Sequence, residues 1–191
     1  APGAQGRTAV TPAWLSLPCA RPDAAVGARA AARQADLTKP PGSLGRLETL
    51  AVRLATLQSR ERPALERVQV CVFAADHGVA AQGVSAFPQA VTAQMLRNFV
   101  AGGAAVSVLA HALGTPLEVV NLGTTVDAGP LAKVIDARIA PMTADFTASP
   151  AMTEAQLAAA LGAGRDAVQR ALAAGAQLFI GGEMGIGNTT A

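Results

Sequence analysis

A glycine-rich segment, Gly182–Thr190, has the residue types most suited to holding a ligand. Its Gly182-x4-Gly187 spacing has the outline of a phosphate-binding P-loop, but Asn188 stands where the lysine of that motif belongs. Without this lysine the usual grip on the terminal phosphates of a nucleoside triphosphate is missing. Backbone N–H groups, the flexible Gly185 and Gly187, and the hydroxyls of Thr189 and Thr190 remain. The segment therefore predicts a cradle for a single phosphate, strengthened if a helix begins near Thr190. The alternative is a tight strand-to-helix turn that binds nothing.

The dinucleotide-binding fingerprint fails in the same segment. Gly185-x-Gly187 is followed by Thr190 where the third glycine of that fingerprint belongs. No acidic residue follows a first glycine-rich turn in the manner of such proteins. These departures disfavour an oxidoreductase that uses a nicotinamide dinucleotide.

Asp76-His77-Gly78 offers a carboxylate and an imidazole directly after an apolar run. One interpretation is that Asp76 forms part of a polar wall of an active site. The other is that Asp76 caps its own loop and that His77 is satisfied locally. We find no Ser/His/Asp or Cys/His arrangement that suits nucleophilic catalysis.

The segment Gly83–Gln89 leads towards a helix and carries an aromatic ring, Phe87. Gln94 lies in the first turns of that helix and would point to the same strand ends. An apolar face with an amide beside it suits a flat heteroaromatic ligand. Alternatively, Phe87 is an ordinary core residue.

The elements that must position these residues follow a parallel α/β pattern. Mainly apolar runs without strict alternation predict buried parallel strands at Val68–Ala75, Leu117–Leu122 and Gln177–Gly182, with a weaker strand at Val134–Ile139. The order strand, helix, strand, helix, strand predicts a three-layer α/β/α fold with a Rossmann-like parallel sheet. Ligands of such sheets bind at the carboxyl ends of the strands. Three polar segments lie there: Asp76–Gly78, Asn121–Thr125 and Glu183–Thr190.

Two helical stretches separate the strands. Thr92–His111 places five apolar side chains together: Met95, Leu96, Phe99, Val100 and Leu109. Thr153–Ala174 opens with a Thr153-x-x-Gln156 capping box and ends at Gly175. Its apolar positions are Leu157, Leu161, Val168 and Leu172.

Two further helices are predicted earlier in the chain, over Asp23–Gln34 and after Ser43 as the N-cap. The second carries a leucine stripe: Leu44, Leu47, Leu50, Leu54 and Leu57. We expect a poorly ordered leader over residues 1–22, a helical subdomain over 23–66 and an α/β domain over 67–191. Because Ala191 directly follows the glycine-rich segment, we expect the domain to be incomplete and the chain to be truncated.

Composition excludes several classes of protein. With 51% apolar residues in 191, the chain is not intrinsically disordered. Its 15 basic and 13 acidic residues give a net charge of +2, too balanced for a nucleic-acid partner. Cys19 and Cys71 form no disulfide framework, and with two histidines they lack any zinc-ligand spacing. We therefore expect no metal site. Because no run is long enough to span a membrane, we also expect a cytoplasmic protein.

Five segments in this order and spacing closely resemble one enzyme family: Leu37–Glu48, Ala75–Val79, Gly83–Gln89, Val91–Met95 and Gly182–Thr190. The family is that of the nicotinate-nucleotide–dimethylbenzimidazole phosphoribosyltransferases. The resemblance runs from about Asp23 to Ala191. Since family members are longer, the chain is similar to their N-terminal half. One segment, Pro141–Phe146, departs from the family pattern, in which we expect this loop to contain a glycine. The departure concerns the loop that holds Asp145 and Phe146.

The resemblance implies a ribosyl transfer in the assembly of the lower ligand of cobalamin. Phosphoribose moves from nicotinate mononucleotide to dimethylbenzimidazole, which gives nicotinate and α-ribazole phosphate, with no metal and no cofactor. By the family pattern, Phe87 and Gln94 lie on the benzimidazole side, whereas Glu183 and Gly185–Thr190 lie on the ribose-phosphate side. The family's general base is a late glutamate, expected beyond Ala191, so no catalytic residue is assigned within this chain.

The resemblance also implies a homodimer for the full-length protein. We expect the 191-residue chain by itself to be an inactive N-terminal fragment. The alternative is a non-catalytic module that binds a nucleotide or an azole on the same scaffold.

Overall fold

The structure, a computed structural model, describes residues 12–191. Two units divide them, one formed by Ala13–Glu66 and a larger one that contains Arg67–Ala191. Residues 1–11 of the predicted leader lie outside the described residues. Its remainder includes a short 3-10 turn at Ala13–Ser16.

The smaller unit is a pair of helices, α1 at Ala24–Asp36 and α2 at Arg46–Gln58. The carboxylate of Asp23 caps α1 by accepting a hydrogen bond of 3.0 Å from the Val26 amide. The buried residues Val26, Ala30 and Ala55 pack together between the two helices, with Val52 beside them. Small side chains at these positions allow the helices to approach closely.

The prediction that Ser43 caps α2 is wrong. Gly45 occupies the N-cap position and has no side chain to accept a hydrogen bond. The carboxylate of Glu48 takes over, accepting from the Leu44 amide at 3.2 Å and from the Lys39 ammonium at 2.7 Å. A side chain of the first helical turn thus satisfies the Leu44 amide, which lies just before the N-cap.

The leucine stripe of α2 is not its buried face. Four of its five members are exposed, while Ala55 is fully buried against α1. The helix was predicted correctly from the 3.6-residue spacing, but that spacing does not say which face packs inwards. The exposed leucines are Leu44, Leu47, Leu50 and Leu57.

The larger unit is built on a four-stranded sheet of order β3-β2-β1-β4, with all neighbours parallel. The strands are β1 at Val68–Ala75, β2 at Leu117–Gly123, β3 at Val134–Asp136 and β4 at Leu178–Met184. All four were predicted. β4 ends two residues later than expected and β3 ends three residues earlier, although Ile139 still donates to the Leu122 carbonyl at 2.8 Å.

The same unit contains three helices: α3 at Ala90–Ala101, α4 at Ala105–Ala112 and α5 at Glu154–Ala173. The single helix predicted over Thr92–His111 is wrong, because Gly102 adopts the left-handed φ of +82° and ends α3. Leu109, placed beyond that break, is exposed rather than grouped with Leu96 and Phe99. The capping box of α5 is confirmed, with Thr153 and Gln156 bonding each other's backbone amides.

The sheet has a hydrophobic core on each face. On one face Val72, Ala74 and Val119 pack against Ala93, Leu96 and Phe99 of α3. On the other face Cys71 and Val120 pack against Ala167 of α5. The buried residues of α5 are therefore alanines. Leu157, Val168 and Leu172 belong to the predicted apolar stripe of this helix, but they are exposed. A parallel sheet covered by helices on both faces confirms the α/β class, and it directs the carboxyl ends of the strands to one edge.

Candidate active site

The carboxyl ends of β1, β2 and β4 lie side by side at one edge of the sheet. Ala75 at the end of β1 is paired with Gly123 of β2, and Ala74 is paired with Met184 of β4. The loops that leave this edge contain Asp76 and His77, Thr124 and Thr125, and the segment Gly185–Thr190. The structure therefore brings together the three polar segments that sequence analysis singled out.

Asp76 is fully buried and holds three segments together. Its Oδ2 atom accepts hydrogen bonds from the Thr125 amide at 2.8 Å and from the Thr125 hydroxyl at 2.9 Å. Its backbone amide donates to the Gly123 carbonyl, and its carbonyl accepts from the Thr143 amide. These bonds fix the two loops that leave β1 and β2 against each other.

His77 lies between carboxylates at the same edge. Burial lowers the pKa of its imidazole below the ordinary value of 6.5, while the nearby charges of Glu183 and Asp76 act in the opposite direction. The lowering prevails, so the ring is uncharged at neutral pH. Its carbonyl accepts a hydrogen bond of 3.1 Å from the Gln89 side chain, which anchors the loop to the start of α3.

The glycine-rich loop is pressed against the end of β1. A Cβ atom on Gly185 would lie 1.9 Å from the Ala75 carbonyl oxygen, so only glycine fits there. The next amide, that of Ile186, donates to the buried hydroxyl of Thr92 in α3 at 3.2 Å. Gly187 has a φ of +92°, a left-handed conformation that favours glycine. The loop is thus held by β1 on one side and by α3 on the other.

Within the loop, most backbone amides already donate to protein acceptors. The Asn188 amide donates to Gly185, the Thr190 amide to Gly187, and the Thr189 amide to the Asn188 side chain at 2.7 Å. The Asn188 side chain also donates to the Glu183 carboxylate. The groups that face solvent are therefore the Glu183 carboxylate and the hydroxyl-bearing side chains of Thr189 and Thr190. The carboxylate suits hydrogen bonding to sugar hydroxyls, and the threonine hydroxyls suit a sugar or a phosphate. The predicted cradle of amides would require the loop to rearrange.

Phe87 and Gln94 lie beside this edge, before and within the first turns of α3. Phe87 is 66% exposed and Gln94 is exposed too, so the structure does not place either in the hydrophobic core. The Phe87 amide donates to the Ser85 hydroxyl at 3.2 Å, which sets the turn that presents the ring. Their assignment to a heteroaromatic ligand stays a prediction.

The segment that departs from the family pattern packs over the loop after β1. A Cβ atom on Gly78 would lie 2.5 Å from the Asp145 amide nitrogen, so the two backbones touch. The Asp145 carboxylate accepts from the Gln82 side chain at 2.6 Å, and the Thr143 hydroxyl accepts from the Gly78 amide at 3.3 Å. Asp145 therefore fixes the loop that leads from His77, while Phe146 is exposed.

Sequence reasoning assigned no role to three residues that organise the site: Thr92, Thr125 and Gln89. Thr92 carried a signal, because it lies four residues before Leu96 on the buried face of α3 and is polar. The partners of Thr125 and Gln89 lie on other segments, and no local pattern in the sequence reveals such pairs.

Within residues 12–191, no three His, Cys, Asp or Glu side chains come together in a way that could hold a metal ion. The helices of the described part include none with the length and hydropathy of a membrane span.

Comparison with known proteins begins with a family model. Residues 19–191 match the model DBI_PRT, described as phosphoribosyltransferase. Over 178 residues the chain is 60% identical to a nicotinate-nucleotide–dimethylbenzimidazole phosphoribosyltransferase from Xanthomonas euvesicatoria pv. vesicatoria, which covers 93% of the chain and 51% of that relative. A protein of the same name from Pseudomonas aeruginosa is 61% identical, with the same coverage.

A crystal structure of the Thermus thermophilus protein of that name superimposes with a TM-score of 0.83 at 48% identity. The match covers 88% of the chain and 51% of the solved one. The chain thus spans about half the length of the relatives that it matches.

Proposed function

Because the chain belongs to the DBI_PRT phosphoribosyltransferase family, we propose that the whole protein transfers phosphoribose from nicotinate mononucleotide to dimethylbenzimidazole. The chain is then its N-terminal portion, and the product is the α-ribazole phosphate used in the assembly of the lower ligand of cobalamin. The names of the curated relatives support this substrate pair.

The chemistry requires a site that holds two flat rings on opposite sides of one anomeric carbon. The bond between this carbon and the nicotinate ring nitrogen breaks, and its electron pair neutralises the positive charge of that nitrogen. A ring nitrogen of the azole forms the new bond to the same carbon, and the azole's N–H proton passes to a general base. Holding both rings in this geometry supplies much of the rate enhancement.

One observation supports the proposal above the others: the glycine-rich loop is fixed against the end of β1. Gly185 touches Ala75, and Ile186 is anchored on Thr92. This leaves Glu183, Thr189 and Thr190 exposed at the edge where β1, β2 and β4 end. In our proposal these groups bind the ribose and phosphate of the nucleotide together with Gly185, Gly187 and Asn188, and Asp76 keeps the neighbouring loop in place.

The azole is proposed to lie on the α3 side of the same edge, against Phe87 and Gln94. The general base is proposed to be a glutamate outside this chain. We also propose that the whole protein is a cytoplasmic homodimer that uses no metal, cofactor or nucleic acid.

The test is to incubate the protein, in the full length that its gene encodes, with both substrates and to separate the products by chromatography. We expect nicotinate and α-ribazole phosphate in equal amounts, and no nicotinate when the azole is left out. Binding of either substrate without turnover would favour the alternative, a non-catalytic nucleotide- or azole-binding module.

A further inference from the structure

The hydroxyl of Thr92 joins α3 to the glycine-rich loop. Thr92 lies in the first turn of α3 and is fully buried. Its Oγ1 atom accepts a hydrogen bond of 3.2 Å from the amide of Ile186, which comes 94 residues later in the chain. Because Ile186 is buried as well, water has little access to replace this acceptor. The loop therefore depends on the Thr92 oxygen to satisfy the Ile186 amide.

Two further contacts between the loop and the fold are packing contacts. A Cβ atom on Gly185 would overlap the Ala75 carbonyl, and one on Gly187 would lie 3.4 Å from the Ala80 amide nitrogen. Packing limits how closely two backbones approach, but it has no preferred direction. A hydrogen bond also restricts the angle between its partners. The bond to Thr92 thus adds the orientation that packing alone leaves open.

The helix that carries Thr92 is itself held firmly. Ala93 and Leu96 are fully buried against the sheet, where close packing resists displacement. The Thr92 amide donates to the Gln89 carbonyl at 2.9 Å, and the Gln89 side chain donates to the His77 carbonyl at 3.1 Å. The first turn of α3 therefore supports both the loop after β1 and the loop after β4.

The side chains assigned to the nucleotide follow Ile186 within four residues. The Asn188 amide donates to the Gly185 carbonyl, and the Thr190 amide donates to the Gly187 carbonyl, each at 3.1 Å. Because these bonds close the turn on itself, the turn moves as a unit if Ile186 moves. A misplacement of about 1 Å in a group that positions a substrate can cost about 100-fold in rate.

The azole side of the site does not share this dependence. Gln94 follows Thr92 by two residues, which places the two side chains about 200° apart around α3. Gln94 is exposed, whereas Thr92 is buried. Loss of the Thr92 hydroxyl should leave Gln94 in place, because the buried Ala93 and Leu96 fix the helix.

From these contacts we propose that Thr92 is a positioning residue for the transfer of phosphoribose. Its hydroxyl holds the Ile186 amide, and through this amide the side chains that bind the nucleotide, without touching either substrate. Nucleotide binding and turnover then depend on this oxygen, and azole binding does not. The inference rests on the proposed function and adds a residue that acts on one of its two substrates.

The test compares Thr92→Val with Thr92→Ser in the protein of the full length that its gene encodes. Valine keeps the branched shape but leaves the buried Ile186 amide without its acceptor, whereas serine keeps the acceptor and loses a buried methyl group. We expect valine to lower kcat/KM for nicotinate mononucleotide about 30-fold or more. The KM for dimethylbenzimidazole should stay within about twofold, and serine should restore kcat/KM for the nucleotide to within about threefold of wild type. Thr92→Ala, which also lacks the acceptor and suits a helix, replaces valine if that variant does not fold.

Ser107→Ala is the matched control for stability. The Ser107 hydroxyl is buried and donates to the Phe99 carbonyl at 3.2 Å, about two turns further along α3 from Thr92. Its loss should lower the midpoint of urea unfolding and leave the kinetic constants for both substrates unchanged. If the kinetic loss merely followed stability, Ser107→Ala and Thr92→Ser would lose activity in proportion to their unfolding midpoints.

Hydrogen exchange measured by mass spectrometry gives a readout that needs no turnover. Peptides that contain Ile186 should exchange one amide about tenfold faster or more in Thr92→Val, and at the wild-type rate in Thr92→Ser and Ser107→Ala. The inference is overturned if a turning-over Thr92→Val protein matches wild type in kcat/KM, if serine loses as much as valine, or if exchange at Ile186 is unchanged.

Failure of the proposed function has a different signature. If the wild-type protein binds the nucleotide without turnover, the transfer activity is wrong. The same variants are then compared by calorimetry, where valine should raise the Kd for nicotinate mononucleotide about tenfold and serine should not. Equal Kd values for valine and wild type, or no nucleotide binding by wild type, would overturn the role of Thr92 as well.

Discussion

At the scale of single residues, the close contact with Ala75 restricts position 185 to glycine. We predict that Gly185→Ala destabilises the protein by about 3 kcal/mol, because its Cβ would overlap the Ala75 carbonyl and force the backbones apart. Urea unfolding measures this loss.

Gly162→Ala is the matched control, because Gly162 lies within α5 with open space around it. Alanine there should raise stability by about 0.5–1 kcal/mol. Equal unfolding midpoints for the two variants would contradict the steric argument.

The polar side chains of the loop lead to a prediction about the nucleotide. Combining Asn188→Ala with Thr189→Val should weaken binding of nicotinate mononucleotide about tenfold or more, because an amide and a hydroxyl are lost. Calorimetry on the full-length protein measures both substrates, and dimethylbenzimidazole should bind as before. Unchanged nucleotide affinity would remove this loop from the nucleotide site.

Gln94 leads to the reciprocal prediction. Gln94→Ala should raise the KM for dimethylbenzimidazole several-fold, because the ring loses a hydrogen-bonding amide, while the KM for nicotinate mononucleotide stays constant. Steady-state kinetics with each substrate varied in turn decides this. A rise for the nucleotide alone would show that Gln94 belongs to the other substrate.

At the scale of elements, one polar chain ties β1, β2 and α5 together. The buried Cys71 thiol lies 3.5 Å from Glu118, which accepts hydrogen bonds of 2.9 and 2.6 Å from Arg170 of α5. Burial, with a smaller contribution from the charge of Glu118, raises the pKa of Cys71 to about 12. The thiolate that reacts with alkylating reagents is thus suppressed in the folded protein.

We predict that iodoacetamide at pH 8 modifies Cys71 at least 100-fold more slowly than Cys19, which is exposed. The pKa of Cys71 is higher in the folded state than its ordinary value of 9.0. The folded state therefore keeps a proton that the unfolded state releases, and the contribution of this residue to stability is lost as the pH rises above about 9. Peptide mapping by mass spectrometry follows both cysteines in one sample, and similar rates would mean that this junction opens readily.

Elements that rest on local rules were predictable from the sequence. The capping box of Thr153 and Gln156 involves residues three apart, and it starts α5 as expected. The prediction for Ser43 failed because the helix begins two residues later than expected, with Gly45 at the N-cap position. The leucines of α2 and α5 failed for a different reason: spacing identifies a helix, but only packing against a partner decides which face is buried.

In the candidate site, too, some features were predictable from the sequence and others were not. Its position at the strand ends follows from the parallel fold, and Asp76 and Gly185–Thr190 lie there as predicted. The bonds from Thr125 to Asp76 and from Ile186 to Thr92 join residues 49 and 94 positions apart. Such pairs depend on the complete topology, so residue spacing could not reveal them.

At the scale of the whole molecule, the chain spans about half the length of its relatives. We predict that residues 1–191 alone form no α-ribazole phosphate and tend to aggregate. Among the described residues β4 pairs with β1 only, and apolar side chains such as Leu172 and Ile180 are exposed. Chromatographic assay and light scattering, each compared with the full-length protein, test both statements. Turnover of about 1 per second by the short chain would place a general base within it, and Asp76 or Glu183 would become the candidates.

The strand order has a consequence for synthesis on the ribosome. β1 lies between β2 and β4, and both partners are synthesised after it. Glu118, the partner of Cys71, comes 47 residues later in the chain, and Gln177, the partner of Arg67, comes 110 residues later. At about 5–20 residues per second, the β4 side of β1 stays open for roughly 5–20 s after it leaves the exit tunnel. During that interval a nearly continuous apolar strand offers unpaired backbone groups to any neighbouring nascent chain. Chaperone capture in this window, rather than the stability of the finished sheet, would then set how much protein a cell recovers.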